Sequence, residues 1–175
     1  TSARLKISSF APAQNYQQAG LVVYQDDDNY VQITRIFANR NTMTFAREVN
    51  GSASNLKTIS EGATTNLYFR LDRDPWTETI TSYYSLDGSS WTLVENVIQQ
   101  LNNPRLAIVV GASPGGLPNA DIAWAEILTD SSFSKGLGIS TQKTNLESPE
   151  VFPELVNMLH QNYPNPFNAN TCIEY

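Results

Sequence analysis

The sequence predicts an all-β fold, an antiparallel two-sheet sandwich of jelly-roll type followed by an irregular C-terminal tail. Three observations predict it. Between Leu5 and Leu128 apolar residues come in short runs or alternate with polar ones, the period-2 pattern of strands with one buried face. Turn-forming residues interrupt these runs at even spacing, as in a sandwich in which two sheets share one core. Amphipathic helical periodicity is nearly absent.

The expected strands cover residues 4–9, 19–25, 30–37, 42–49, 66–72, 79–86, 92–97, 106–112 and 122–129. Asp26-Asp27-Asp28-Asn29 joins the second to the third, and its side chains can bond the backbone of a tight reversal. Along Leu67-Tyr68-Phe69-Arg70-Leu71 the alternation directs Leu67, Phe69 and Leu71 to the core and Tyr68 and Arg70 to the opposite face. Asp87-Gly88 ends one strand with a residue that tolerates positive φ, and the next begins at Trp91. Leu106-Ala107-Ile108-Val109-Val110 is apolar on both faces and reads as a central strand.

After Leu128 the texture changes. Residues 129–149 are rich in Ser, Thr, Gly and Asn without periodicity, the composition of a linker. The expected organisation is a sandwich over 1–130, a linker over 131–158 and a separate segment over 159–175. No apolar h-region opens the chain, so numbering is expected to start at a mature end or, the preferred reading, inside a longer precursor.

Composition narrows the partners. Of 175 residues, 41% are apolar and 16% charged, which excludes a disordered chain, and no apolar run reaches the roughly 20 residues of a membrane span. Net charge is −6 with the eleven basic residues scattered, which argues against nucleic acid and anionic membrane. Cys172 is the single cysteine, leaving neither an internal disulfide nor a thiolate metal cluster.

The segment 18–31, Gln-Ala-Gly-Leu-Val-Val-Tyr-Gln-Asp-Asp-Asp-Asn-Tyr-Val, resembles concanavalin-A-like modules at the C-terminus of family-43 β-xylosidases. Leu67 to Leu71, Tyr84 to Trp91 and Ala120-Asp121-Ile122-Ala123-Trp124 continue the resemblance in order. It covers about Leu5 to Leu128 and implies a concanavalin-A-like jelly roll, attached to a glycoside hydrolase, that binds xylan-like glycans or packs on the catalytic domain. It also implies one or two strands before Leu5, hence an edge strand supplied upstream or left open. Ala120 departs from the pattern, which has an aromatic there.

A second stretch, Leu159-His160-Gln161-Asn162-Tyr163-Pro164-Asn165-Pro166-Phe167-Asn168 with Thr171 to Tyr175, resembles the opening of the C-terminal sorting domain of type IX secretion. Each Pro fixes φ and disfavours helix in the residue before it, giving a rigid extended turn. This resemblance implies a bacterial protein, secreted or held at the cell surface, with the type IX machinery as partner.

For chemistry, a glycosidase needs two carboxylates about 5 to 10 Å apart, and no spacing here marks such a pair. His160 lies in the sorting-like motif without a Ser or Cys partner in the sandwich, so the expectation is no enzyme. Asp26 and Asp28 offer oxygen ligands of the kind calcium takes, but no Gly follows the acidic run and a solvated hairpin is the preferred reading. Sugar binding needs aromatic faces beside hydrogen-bonding side chains; the candidates are Tyr30, Arg35, Tyr68, Arg70, Trp76 and Tyr83. Trp91 and Trp124 are expected to be buried, and Arg70 to pair with Asp72 or Asp74. The expected function is thus a non-catalytic, glycan-binding module taking xylan-like chains or β-glucan. The alternative is a structural module that packs on an upstream domain of the same precursor or self-assembles by strand pairing.

Overall fold

The computed structural model describes residues 1–111, 118–128 and 170–173. The expected linker and residues 159–168 of the sorting-like stretch lie outside them. The strands are β1 (Ser2–Ser9), β2 (Gln18–Asp26), β3 (Asn29–Phe37), β4 (Asn41–Val49), β5 (Ser52–Ile59), β6 (Thr65–Asp74), β7 (Thr79–Ser85), β8 (Thr92–Ile98), β9 (Arg105–Gly111), β10 (Asp121–Leu128) and β11 (Asn170–Ile173). They form two antiparallel sheets, β10-β1-β6-β7-β8 and β11-β9-β2-β3-β4-β5. The all-β sandwich expected from the alternation is therefore the fold.

Alternation builds the core. Leu5 and Ile7 of β1, Leu67, Phe69 and Leu71 of β6 and Ile80 of β7 meet Leu21, Ile33, Met43 and Phe45 of the second sheet, all buried. Each fully buried apolar side chain contributes about 1.5 to 3 kcal/mol against exposure. Leu106, Ile108 and Val110 of β9 pack toward this core, while Ala107 and Val109 join Val22 on the other side of the sheet. The double-sided apolar character read in β9 is real.

Local chemistry fixes the turns. Asp26 Oδ1 accepts from the Asp28 backbone N–H at 3.0 Å and from Asn29 Nδ2 at 2.9 Å, and Gln25 Nε2 donates to Oδ2 at 2.7 Å. These donors, the Asn29 amide first among them, hold the Asp26 carboxyl below its ordinary pKa. Among the described residues no three His, Cys, Asp or Glu side chains are grouped to hold a metal ion, and both Asp26 oxygens serve the hairpin.

The strand that sequence reasoning passed over is β5. Its residues are exposed or half-buried on both faces, so no apolar alternation marks it. A signal was nevertheless present: Asn50 and Gly51 have φ of 50° and 74°, the left-handed pair that a two-residue hairpin turn demands.

Candidate functional site

The outer face of the five-stranded sheet carries charged and aromatic side chains in transverse rows. Directly opposed residues share a face, and register places Trp124, Lys6, Tyr68 and Ser85 in one row. The next row is Glu126, Arg4, Arg70, Tyr83 and Leu93, followed by Leu128, Ser2, Asp72, Thr81 and Asn96. Strands stand about 4.8 Å apart, so neighbours in a row touch.

Cations lie over rings throughout. Lys6 Nζ is 5.3 Å from the Tyr68 ring centre, and the Arg70 guanidinium is 5.0 Å from that of Tyr83. Trp91 receives two guanidinium groups, Arg4 at 5.7 Å and Arg70 at 5.9 Å. Tyr68 meets Trp124 with ring centres 6.1 Å apart and planes tilted by 54°. Such contacts orient rings at about 0.5 to 1 kcal/mol each where exposed. Arg70 also grips Asp72 through Nε to Oδ1 at 2.8 Å and through Nη2 to Oδ2; that bond raises the Arg70 pKa further and fixes the guanidinium plane.

The turn from β7 to β8 folds onto this face. Asp87 Oδ1 accepts the Ser89 and Ser90 backbone N–H groups at 2.7 Å each and the Ser85 hydroxyl at 2.9 Å. The Ser90 and Ser89 bonds, in that order, hold the Asp87 carboxyl far below its ordinary range. Gly88 has a φ of 78°, and a Cβ there would lie 2.8 Å from Tyr68 Cε1. Only glycine supplies both the backbone conformation and the close approach.

Beside the rows lies an open groove of about 910 Å³, lined among others by Arg4, Arg70, Asp72, Trp76, Thr79 and Thr81. Trp76 is 76% exposed. Asp74 shapes the turn that carries it, accepting the Trp76 backbone N–H at 2.9 Å and the Thr77 hydroxyl at 2.9 Å; the Trp76 bond is the main cause of its lowered pKa. An aromatic plane beside hydroxyl, guanidinium and carboxylate groups can stack on a pyranose ring and bond its hydroxyls.

Of the six sugar-binding candidates, Tyr68, Arg70, Trp76 and Tyr83 come together on this face. Tyr30 and Arg35 do not. Tyr30 belongs to the other sheet, packed against Val22, Ala107 and Val109, with its hydroxyl donating to Glu48 Oε2 at 2.7 Å. Burial, reinforced by Glu48, pushes its pKa well up. Arg35 corrects the expectation of a surface residue: it is fully buried, in phase with Val31 and Ile33, and donates to the Glu61 and Gly62 carbonyls at 3.1 and 3.3 Å. Burial lowers its pKa. It anchors the β5–β6 connection, because apolar alternation cannot tell an inward arginine that reaches loop carbonyls from an outward one.

Trp91 and Trp124 correct the opposite expectation, since Trp91 is half-buried under two arginines and Trp124 is 40% exposed. Arg4 and Lys6 were not among the candidates, although alternation with Leu5 and Ile7 already sets them outward.

Two antiparallel sheets enclosing one core, with a decorated outer face, define the concanavalin-A-like class. Residues 2–106 match the family of β-xylosidase C-terminal concanavalin-A-like domains, and the chain belongs to that family. Solved structures share the fold. The GH43 protein BlXynB of Bacillus licheniformis is 22% identical with a TM-score of 0.51 over 55% of this chain and 18% of its own. A bifunctional GH43-CE protein of Bacteroides eggerthii is 19% identical with a TM-score of 0.51 over 59% and 13%. A functionally unknown protein of Saccharomyces cerevisiae is 18% identical with a TM-score of 0.50 over 61% and 56%. The chain thus spans about a fifth or less of the two GH43 proteins. No curated protein sequence matches it.

Proposed function

We propose that this chain is a non-catalytic, carbohydrate-associated module of a secreted or cell-surface bacterial protein, and that the outer face of its five-stranded sheet binds a neutral glycan of xylan-like or β-glucan type. One observation carries the reading: Trp76, Arg70, Asp72, Thr79 and Thr81 line a single open groove, beside a fixed row of aromatic side chains. The ligand is a stretch of polysaccharide lying across the rows, held by stacking on Trp76 and hydrogen bonds to Arg70 and the threonines. Binding of this shallow kind is modest, with pyranose stacking as its main term.

The same groove supports the absence of catalysis. A glycosidase requires two carboxyls free to serve as acid and base, whereas Asp72 is bound to the Arg70 guanidinium and Asp74 to the backbone N–H and hydroxyl of its own turn. The module serves a larger polypeptide, in the manner of a domain attached to a glycoside hydrolase. Export through the type IX machinery is the role of the Asn162 to Asn168 segment.

Retention on insoluble xylan and β-glucan tests the reading. The protein is expected to be retained, and Trp76→Ala and Tyr83→Ala to weaken retention while leaving the melting profile in place. Absence of retention on every polysaccharide, or unchanged retention by both variants, would overturn it.

A further inference from the structure

We propose that the outer edge of β9 is a strand-acceptor site through which two copies of this chain join, Asn170–Ile173 of one copy pairing with residues 108–111 of the other. This goes beyond the glycan reading and does not rest on it. The pairing itself is observed within one copy: Asn170 opposes Gly111, Thr171 opposes Val110, Cys172 opposes Val109 and Ile173 opposes Ile108, antiparallel. Ladder bonds run from backbone to backbone, so the same segment of a second copy fits the edge equally well.

Three features favour exchange. Residues 129–169 separate β10 from β11, enough chain to reach the edge of a neighbouring copy. β11 also spans only Ile108 to Gly111 of the seven-residue β9, a short ladder with little to lock one arrangement.

The third feature is the state of the adjoining edge. β10 lies at the same side of the sandwich, since β1 faces β2 across the core and β10 and β9 flank them. Ala125 and Ile127 oppose the buried Leu5 and Ala3 and therefore point inward, yet both are exposed, Ile127 by 59%. Among the described residues, the edge of the sandwich beside β11 is exposed. An isologous pair brings two such edges together and covers Ala125 and Ile127 of both copies, the self-complementary arrangement of a two-fold dimer.

The test uses the full chain and its native Cys172. Val109→Cys sets a second thiol directly opposite, and opposed antiparallel residues have Cα atoms about 4.5 to 5.5 Å apart, within disulfide reach. Oxidised from micromolar to millimolar concentration and resolved without reductant, this variant is expected to shift from an intrachain to an interchain disulfide, the dimer fraction rising at least tenfold. Val110→Cys, displaced by one residue and so on the other face, is expected to cross-link far less. Only intrachain disulfide at every concentration, or none, would overturn the proposal.

Should Val109→Cys fail to fold, light scattering on the unsubstituted chain and on Thr171→Pro decides. Proline in this four-residue strand removes a backbone N–H and fixes φ away from the extended value, so the concentration-dependent dimer is expected to disappear. A dimer that survives Thr171→Pro, or an unsubstituted chain monomeric at millimolar concentration, would equally overturn it.

Discussion

The two outer faces of this sandwich obey the same alternation and end in opposite states. On the five-stranded sheet the outward positions are Arg4, Lys6, Tyr68, Arg70 and Tyr83, large and partly accessible. On the six-stranded sheet the outward Gln18, Val22, Gln32, Thr34, Thr44 and Val109 are uncharged and buried, Thr34 to 1%, while the outward Tyr30 and Glu48 near one end are half-buried. Gln18 Oε1 accepts from the Thr34 hydroxyl at 3.3 Å, satisfying polar atoms within that face. Alternation thus says which way a side chain points, and not whether that side is open.

The largest effects are expected where neither face is involved. Phe69→Ala removes a fully buried ring and should cost about 3 to 5 kcal/mol in urea unfolding. Arg35→Ala strands the Glu61 and Gly62 carbonyls and should cost about 2 to 3 kcal/mol, while glycan retention per folded molecule stays unchanged; reduced affinity in the folded fraction would return Arg35 to the binding surface. Trp76→Ala should show the reverse pattern, about a tenfold loss of glycan affinity, or about 1.4 kcal/mol, with a melting temperature shifted by less than about 2 °C because the ring is exposed.

A pH series sharpens the same contrast. The Asp87 pKa is depressed in the folded protein from an ordinary 3.8, so its stabilisation of the β7–β8 turn is complete above that value and is lost as pH falls below it toward the folded pKa. Stability in urea unfolding should therefore carry an Asp87 contribution that is flat from neutrality to about pH 4 and declines below, and Asp87→Asn should flatten that decline. The smallest effect belongs to β5, where Ser54→Ala at an exposed position should stay within about 0.5 kcal/mol.

Much of this was legible in the sequence. Leu67, Phe69 and Leu71 announce their face, Asp87-Gly88 announces its turn, and alternation sets Tyr68, Arg70 and Tyr83 outward. β5 was illegible because an edge strand exposed on both sides has no reason to alternate. Arg35 misled because its partners are backbone carbonyls on a loop some 26 residues away. Trp91 and Trp124 misled because a tryptophan in a strand is usually buried by apolar neighbours, whereas these two are sheltered by arginine and tyrosine side chains from other strands.

The placement of tryptophan has an optical consequence. All three tryptophans belong to the outer side of one sheet, Trp76 in the groove, Trp91 beneath Arg4 and Arg70, and Trp124 against Tyr68, while the interior is filled by phenylalanine and aliphatic side chains. Intrinsic fluorescence excited in the indole band therefore originates entirely at the proposed binding surface. A titration with an unlabelled oligosaccharide can be followed directly by emission from that surface, undiluted by signal from the core.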